Sequence, residues 1–126
     1  MNREDIRILV VDDDPFVRDM VGFILQAAGY FVDTAENGRE AMDRCAAGNG
    51  FHAVISDMNM PEMDGLALIR EMKKTWPDIA AILMTGDEDE RGSGSGADAC
   101  VVKDENLQDT IASMVETVIA GKGDRG

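Results

Sequence analysis

The segment Ala53–Pro61, with the sequence AVISDMNMP, decides the fold. It opens on apolar residues without polar alternation, a pattern typical of a strand buried on both faces of a parallel sheet. The strand ends on an acid, Asp57, and the chain then turns through Pro61 and Asp64-Gly65. Because ligands bind beyond the carboxyl ends of the strands in open α/β sheets, Asp57 is the first candidate functional residue.

Four more segments of the chain are predicted to be strands. They are residues 8–11, 31–35, 80–84 and 100–102. Apolar residues at helical spacing separate them. Helices are expected after the caps Asp14 and Asn37, from Leu66 to Trp76, and from Leu107 to a frayed end at Gly121. This alternation predicts right-handed βαβ units, and therefore an α/β fold with a five-stranded parallel sheet covered on both faces.

Length and charge limit the possible functions. The chain has 126 residues, which fits one domain, and 12 Lys and Arg stand against 25 Asp and Glu for a formal charge of −13. Nucleic acid and anionic membranes would be repelled, so we expect neither as a direct partner. The charge suits a cation site or a basic protein partner.

The two cysteines and the ends of the chain bear on its location. Cys45 and Cys100 have no CxxC spacing, which favours free thiols in a reducing compartment over a disulfide framework. Neither a signal sequence nor a stretch long enough to span a membrane is present. We expect a cytoplasmic, free-standing protein with a flexible tail at residues 121–126.

Polar residues follow four of the five predicted strands. Asp12 and Asp13 follow the first, Asp57 ends the third, Thr85 the fourth, and Lys103 follows the fifth. Each alone is explained as a helix cap or a solvated side chain. Parallel strands, however, bring all five to one edge of the sheet, and such a grouping predicts a functional site.

The chemistry of this group follows from its charges. Two carboxylates about 4 Å apart repel by roughly 4 kcal/mol at an effective dielectric constant near 20. Three must be protonated, held by Lys103, or bound to a cation. Oxygen ligands with room for water favour Mg²⁺, and a carboxylate beside Mg²⁺ and an ammonium is well placed to attack phosphorus.

These residues resemble the receiver domains of two-component response regulators. The resemblance runs from about Ile6 to Ala120 and rests on Asp12-Asp13, Asp57 after Ala53–Ser56, Met60-Pro61, Asp64-Gly65, Thr85-Gly86, Gly96-Ala97 and Lys103. It implies a doubly wound, flavodoxin-like sheet in the order 2-1-3-4-5. It also implies that residues 1–126 form a single receiver domain with its core at about 6–120.

The resemblance further implies a phosphorylation-dependent switch. Asp57 would accept a phosphoryl group from a sensor histidine kinase or a histidine phosphotransfer protein. Asp12, Asp13 and Asp57 would hold Mg²⁺ together with the main-chain carbonyl of Asn59. The domain would alter a surface that binds a downstream protein, and it would assist its own phosphorylation and dephosphorylation without being an enzyme in the usual sense.

Thr85 and Lys103 would contact the phosphoryl oxygens, but other positions depart from the family pattern. Cys100 stands where the family usually has Tyr or Phe, and Asp104 replaces the proline that usually follows the lysine. We therefore expect a trans bond between Lys103 and Asp104. Residues 87–96 are short and rich in Gly and Ser, so the family's fourth helix is predicted to be shortened or replaced by a loop.

Two alternatives remain open from the sequence. A pseudo-receiver would bind a partner without being phosphorylated, although such proteins normally lack the acceptor aspartate or the lysine. A Mg²⁺-dependent phosphohydrolase of the haloacid dehalogenase type would need an acid two residues after Asp57, where Asn59 stands.

Overall fold

Five parallel strands form the centre of the molecule. The computed structural model describes residues 3–48, 50–58, 60, 63–86 and 97–123. Its strands are β1 (Arg7–Val11), β2 (Phe31–Ala35), β3 (Ala53–Asp57), β4 (Ala80–Thr85) and β5 (Ala99–Val102). They pair in the order β2-β1-β3-β4-β5, all in parallel. The predicted doubly wound sheet and its strand order are confirmed.

Helices cover both faces of this sheet. In the part of the chain that the structure describes they are α1 (Pro15–Ala27), α2 (Gly38–Ala46), α3 (Gly65–Thr75) and α4 (Leu107–Gly123), after a 3₁₀ turn at Arg3–Asp5. Asp14, Asn37 and Asp64 cap the first three, each accepting a backbone N–H in the first turn. The caps Asp14 and Asn37 are the predicted ones, and all three caps satisfy N–H groups that a helix start leaves unpaired.

The predicted end of the last helix is wrong. We expected α4 to fray at Gly121, but it continues through Gly123. Nothing lies within 4 Å of a Cβ built on Gly121, and a glycine in a helix costs only about 1 kcal/mol relative to alanine. That cost is too small to end a long packed helix. Residues 124–126 of the predicted flexible tail lie outside the described residues, so that part stays a prediction.

The structure tests the predicted trans bond after Lys103 but not the predicted loss of a helix between β4 and β5. No cis peptide bond occurs in the described ranges, which confirms the trans bond between Lys103 and Asp104. The predicted loss of a helix between β4 and β5 concerns residues 87–96, which lie outside those ranges. That prediction remains a prediction.

The core consists of two layers, one on each face of the sheet. All residues of β3 and β4 are buried, as expected for strands covered on both faces. Alternate residues point to opposite faces. Residues packed on the α1 and α4 side are Ile8, Val10, Ile55, Ile82, Val21, Leu25, Ile111 and Val115. Residues packed on the α2 side are Leu9, Val11, Val54, Ala41, Cys45, Leu68 and Met72.

Among the described residues, no helix combines the length and the apolar content needed to cross a bilayer.

The start of α3 lies against the end of β3, and a glycine permits this close approach. The N–H of Gly65 donates to the carbonyl of Met58 at 2.9 Å. A Cβ at Gly65 would collide with the main-chain oxygen of Asp57 and would lie 2.8 Å from Leu83 Cδ1. Both neighbours are held in buried strands, so they cannot easily move aside.

We therefore predict that Gly65→Ala destabilises the fold by about 1–3 kcal/mol, as overpacking does. Helix propensity alone would favour alanine, so the sign of the change separates the two effects. Gly121→Ala is the matched control, because it lies in a helix with open space around it. Urea unfolding would measure both variants, and a Gly65→Ala protein as stable as wild type would contradict the close approach.

Candidate functional site

The register of the sheet places the predicted residues at one edge. Val11 pairs with Ser56, Asp57 with Met84, and Thr85 with Val102. The pairing continues past β5, where the N–H of Lys103 donates to the carbonyl of Thr85 at 2.7 Å. The carboxyl ends of β1, β3, β4 and β5 therefore bring their polar residues to the same side.

Three carboxylates converge at this edge. One oxygen each of Asp12, Asp13 and Asp57 lies within 4.8 Å of the other two. Asp12 and Asp57 are buried, whereas Asp13 is exposed. Such spacing allows several oxygens to reach one small cation, and oxygen is the ligand that Mg²⁺ prefers. These three residues could hold a divalent metal ion.

Lys103 is the cation in contact with this cluster. Its Nζ lies 2.7 Å from Asp57 Oδ1 and 3.2 Å from Asp12 Oδ2. Burial lowers the pKa of Lys103, but the hydrogen bond to Asp57 and the charges of both carboxylates outweigh it, so the pKa is raised. The lysine is therefore charged at neutral pH. One ammonium against three carboxylates leaves an excess of two negative charges.

Hydrogen bonds hold both the main chain and the side chain of Asp12. Its N–H donates to the carbonyl of Ala35, which extends the pairing of β1 with β2. Its Oδ1 accepts the N–H of Asp14 at 2.9 Å, and its carbonyl accepts Nη1 of Arg18 at 3.0 Å. Main chain and side chain are thus both fixed, and the carboxylate points into the site.

The pKa of Asp12 is raised, chiefly because burial disfavours its charged form. The N–H of Asp14 and the ammonium of Lys103 lower that pKa, and the charge of Asp57 raises it. The opposing contributions leave the carboxyl less acidic than a solvated one. Buried acids with a raised pKa are common in functional sites.

Of the remaining predicted site residues, the structure describes Thr85 but not Asn59. Thr85 is fully buried at the end of β4, beside the end of β3 that carries Asp57. Asn59, predicted to supply a main-chain carbonyl, lies outside the described residues, so its role stays a prediction.

Sequence reasoning missed two contacts at this edge. Ser56 is fully buried and its hydroxyl donates to the carbonyl of Asp57 at 3.0 Å. Arg18 donates to Asp12, as described above. Its spacing was a usable signal, because a residue four positions after the N-cap Asp14 points back towards the helix start.

Comparison with known proteins identifies the family. The family model described as the response regulator receiver domain matches residues 8–115. The chain belongs to this family. Receiver domains of response regulators are signalling domains rather than classical enzymes, which agrees with a phosphorylation-dependent switch.

Curated relatives of this receiver domain include longer proteins. It is similar to Response regulator MprA of Mycolicibacterium vanbaalenii, with 38% identity over 113 residues, or 86% of this chain and 48% of that protein. It is also similar to the Gliding motility regulatory protein of Myxococcus xanthus, with 33% identity over 88% of this chain and 15% of that protein. The chain therefore spans about half or less of these relatives.

Solved structures share the fold over nearly their whole length. TrrA of Thermotoga maritima, in complex with Mg²⁺ and BeF, matches with a TM-score of 0.83 and 40% identity, covering 90% of this chain and 98% of that one. A structure of histidine kinase ThkA in complex with TrrA matches with a TM-score of 0.81 and 40% identity, over 90% of this chain and 97% of that one.

The raised pKa of Asp12 gives a prediction with a definite sign. Because folding raises the pKa of Asp12 above its ordinary value of 3.8, ionising this carboxyl is less favourable in the folded than in the unfolded chain. The stability of wild type is therefore lost as the pH rises from that value through the folded pKa. Asp12→Asn cannot ionise. In the presence of EDTA its stability relative to wild type should therefore increase as the pH rises from about 4 towards neutrality. Urea unfolding across this range would test it, and an advantage that shrinks with rising pH would contradict it.

Proposed function

We propose that this receiver domain, with its core at residues 6–120, is phosphorylated on Asp57 by a sensor histidine kinase or a histidine phosphotransfer protein in a Mg²⁺-dependent reaction. One observation carries the proposal. The Asp57 carboxylate lies at the carboxyl end of the central strand, 2.7 Å from a charged lysine and within reach of two further carboxylates. That arrangement suits attack on a phosphoryl group.

Each residue has a role in the proposed transfer. A carboxylate oxygen of Asp57 forms the new bond to phosphorus, while the bond from phosphorus to the donor histidine nitrogen breaks and its electron pair stays on the imidazole. The Lys103 ammonium is close enough to contact an oxygen of a phosphoryl group on Asp57, because it already contacts the carboxylate of Asp57. The hydroxyl of Thr85 would donate to another phosphoryl oxygen.

The donor set fits Mg²⁺. Asp12, Asp13 and Asp57 offer hard oxygen ligands, and the excess of two negative charges matches a divalent cation. The carbonyl of Asn59 would complete the protein ligands. A bound ion would neutralise part of the charge on the phosphoryl oxygens. The fixed main chain at Asp12 keeps one ligand in place for it.

Cys100 favours a signalling route that does not use a rotating aromatic side chain, the role that Tyr or Phe at this position usually has in the family. Its side chain is partly buried against the cluster formed by Met58, Ile69, Ala81 and Leu83. A thiol there is small and cannot rotate a ring into a cavity. The added charge of about −1.5 to −2 on Asp57 would instead act first on Lys103 and the end of β4, and so change the surface offered to a downstream protein.

Intact mass after incubation with acetyl phosphate and Mg²⁺ tests the phosphoacceptor. We expect one added phosphoryl group in the wild-type chain and none in Asp57→Asn, because the amide is a poor nucleophile. Asp43→Asn, an exposed acid on α2, is the control and should label normally. Persistent labelling of Asp57→Asn would show that the acceptor lies elsewhere. A wild-type chain that never labels would favour the pseudo-receiver.

Thermal unfolding with and without Mg²⁺ tests the metal site. A ligand bound only by the native state adds about 2.7 kcal/mol of stability at a hundred times its Kd. Wild type should therefore melt higher in excess Mg²⁺. Asp13→Ala should lose most of this response, while its metal-free form should be at least as stable, because one repelling carboxylate is gone. A melting temperature indifferent to millimolar Mg²⁺ would contradict the site.

A further inference from the structure

Strand β5 leads to Lys103, although the strand itself is short. It spans four residues, Ala99–Val102, and lies at one edge of the sheet beside β4. Val101 is 2% exposed, whereas the other three residues are half-buried. Burial specifies the register of a strand strongly only where a whole face of the strand is buried. Burial alone therefore fixes the register of β5 weakly.

The position of Lys103 depends on this register, because side chains alternate between the two faces of a sheet. A slip of one residue would turn the lysine to the opposite face, and a slip of two residues would move it by about 6–7 Å along β4. Either slip would remove the contacts of the Lys103 ammonium with Asp57 at 2.7 Å and with Asp12 at 3.2 Å. These contacts therefore require a further constraint on β5.

Asp98 supplies such a constraint immediately before β5. Its N–H donates to the carbonyl of Ala81 at 2.8 Å, and its Oδ2 accepts the N–H of Ala81 at 2.8 Å. Both backbone groups of Ala81 are thus bonded to one residue. The carboxylate takes the place that a backbone carbonyl has in a regular ladder. A slipped strand would break both hydrogen bonds, so together they fix Asp98 opposite Ala81.

Lys73 of α3 also binds the carboxylate of Asp98. Its Nζ lies 2.7 Å from Asp98 Oδ2 and 2.8 Å from the carbonyl oxygen of Ile79. The side chains of Lys73 and Asp98 are 20% and 26% exposed, so solvent screens this ion pair less than it screens a pair on the open surface. The ion pair therefore joins α3 to the start of β5.

Helix α3 connects this ion pair with the end of β3 that carries Asp57. Gly65, the first residue of α3, donates its N–H to the carbonyl of Met58 at 2.9 Å. Lys73 lies in the last turn of the same helix. One helix thus contacts the chain beside Asp57 at its start and the strand that leads to Lys103 at its end.

We propose that Asp98 and Lys73 are positioning residues for the phosphoryl transfer, because their ion pair holds the register of β5 and so keeps the Lys103 ammonium on Asp57 and Asp12. This inference rests on the proposed function and adds to it a determinant outside the acidic cluster. Asp98 precedes Lys103 by five residues, about 16 Å of extended chain. It acts on the site only through the lysine.

Amide hydrogen exchange of the metal-free protein tests the register. The N–H of Lys103 donates to the carbonyl of Thr85 at 2.7 Å, so its exchange rate reports whether the end of β5 stays paired. Asp98→Ala should speed this exchange about tenfold or more, because local opening becomes easier. Lys73→Met should speed it less, since the two hydrogen bonds to Ala81 remain.

Titration calorimetry with Mg²⁺ separates positioning from a merely structural role, because the two predict changes of opposite sign. If Asp98 holds the Lys103 ammonium against the carboxylates, Asp98→Ala removes a charge that repels the cation, and Mg²⁺ should bind about threefold or more tightly. A general loss of order at the site would instead weaken binding. In the Lys103→Gln variant, the added Asp98→Ala substitution should leave the Kd unchanged.

The chain offers two matched variants. Asp78→Ala removes the same charge from an exposed position before β4 and should change neither the exchange of Lys103 nor, beyond a slight weakening, the binding of Mg²⁺. Asp98→Asn keeps an oxygen that can accept the N–H of Ala81 but loses the charge, so its effects should match those of Lys73→Met. It carries the test if Asp98→Ala does not fold, and urea unfolding verifies each variant.

Three results would overturn the proposal: unchanged exchange of Lys103 in Asp98→Ala, weaker or unchanged Mg²⁺ binding in that variant, or an equal effect of Asp98→Ala in the absence of Lys103. Labelling of wild type by acetyl phosphate is measured separately. Faster exchange in Asp98→Ala without any labelling of wild type would contradict only the phosphoacceptor assignment. Labelling of wild type with unchanged exchange in Asp98→Ala would contradict only the role of Asp98 and Lys73.

Discussion

The ammonium of Lys103 lies between two buried carboxylates, and the edge of the sheet depends on that contact. It joins the end of β5 to Asp57 on β3 and to Asp12 after β1, across the intervening strand β4. Without it, two acids that are 0% and 6% exposed would repel each other with little solvent to screen them. The lysine is therefore a structural counter-ion as well as a proposed contact for phosphate.

One ammonium neutralises only part of the negative charge of the three carboxylates. The pKa of Asp12 is raised because the effect of burial outweighs the lowering by the N–H of Asp14 and the ammonium of Lys103. The excess negative charge is a cost to folding that a metal ion or a phosphodonor with its metal can relieve. Proteins commonly accept such local cost where the site must bind or react. Here the cost is confined to one end of a sheet whose β3 and β4 are buried throughout.

The sheet and its polar edge could be predicted because both follow from local patterns. Uninterrupted apolar runs such as Ala53–Ile55 have few alternatives to a buried parallel strand, and acids that follow them must share an edge. The inner side of α1 could be predicted in the same way, because Val17, Val21 and Ile24 recur at helical spacing and all three pack in the core or against it. Helical spacing directs Arg18 towards the helix start, but its hydrogen bond to the Asp12 carbonyl also depends on how α1 is placed on the sheet, which the structure supplies.

Magnesium affinity, measured by titration calorimetry on wild type and Lys103→Gln, tests most directly whether the lysine and a metal ion share one set of carboxylates. Lys103 contacts two of the three proposed ligands and carries a charge that repels the cation. We expect Lys103→Gln to bind Mg²⁺ more tightly by roughly tenfold, since a neighbouring unit charge is worth on the order of 1–4 kcal/mol here. Weaker or unchanged Mg²⁺ binding in Lys103→Gln would contradict a common site for the lysine, the metal ion and Asp57.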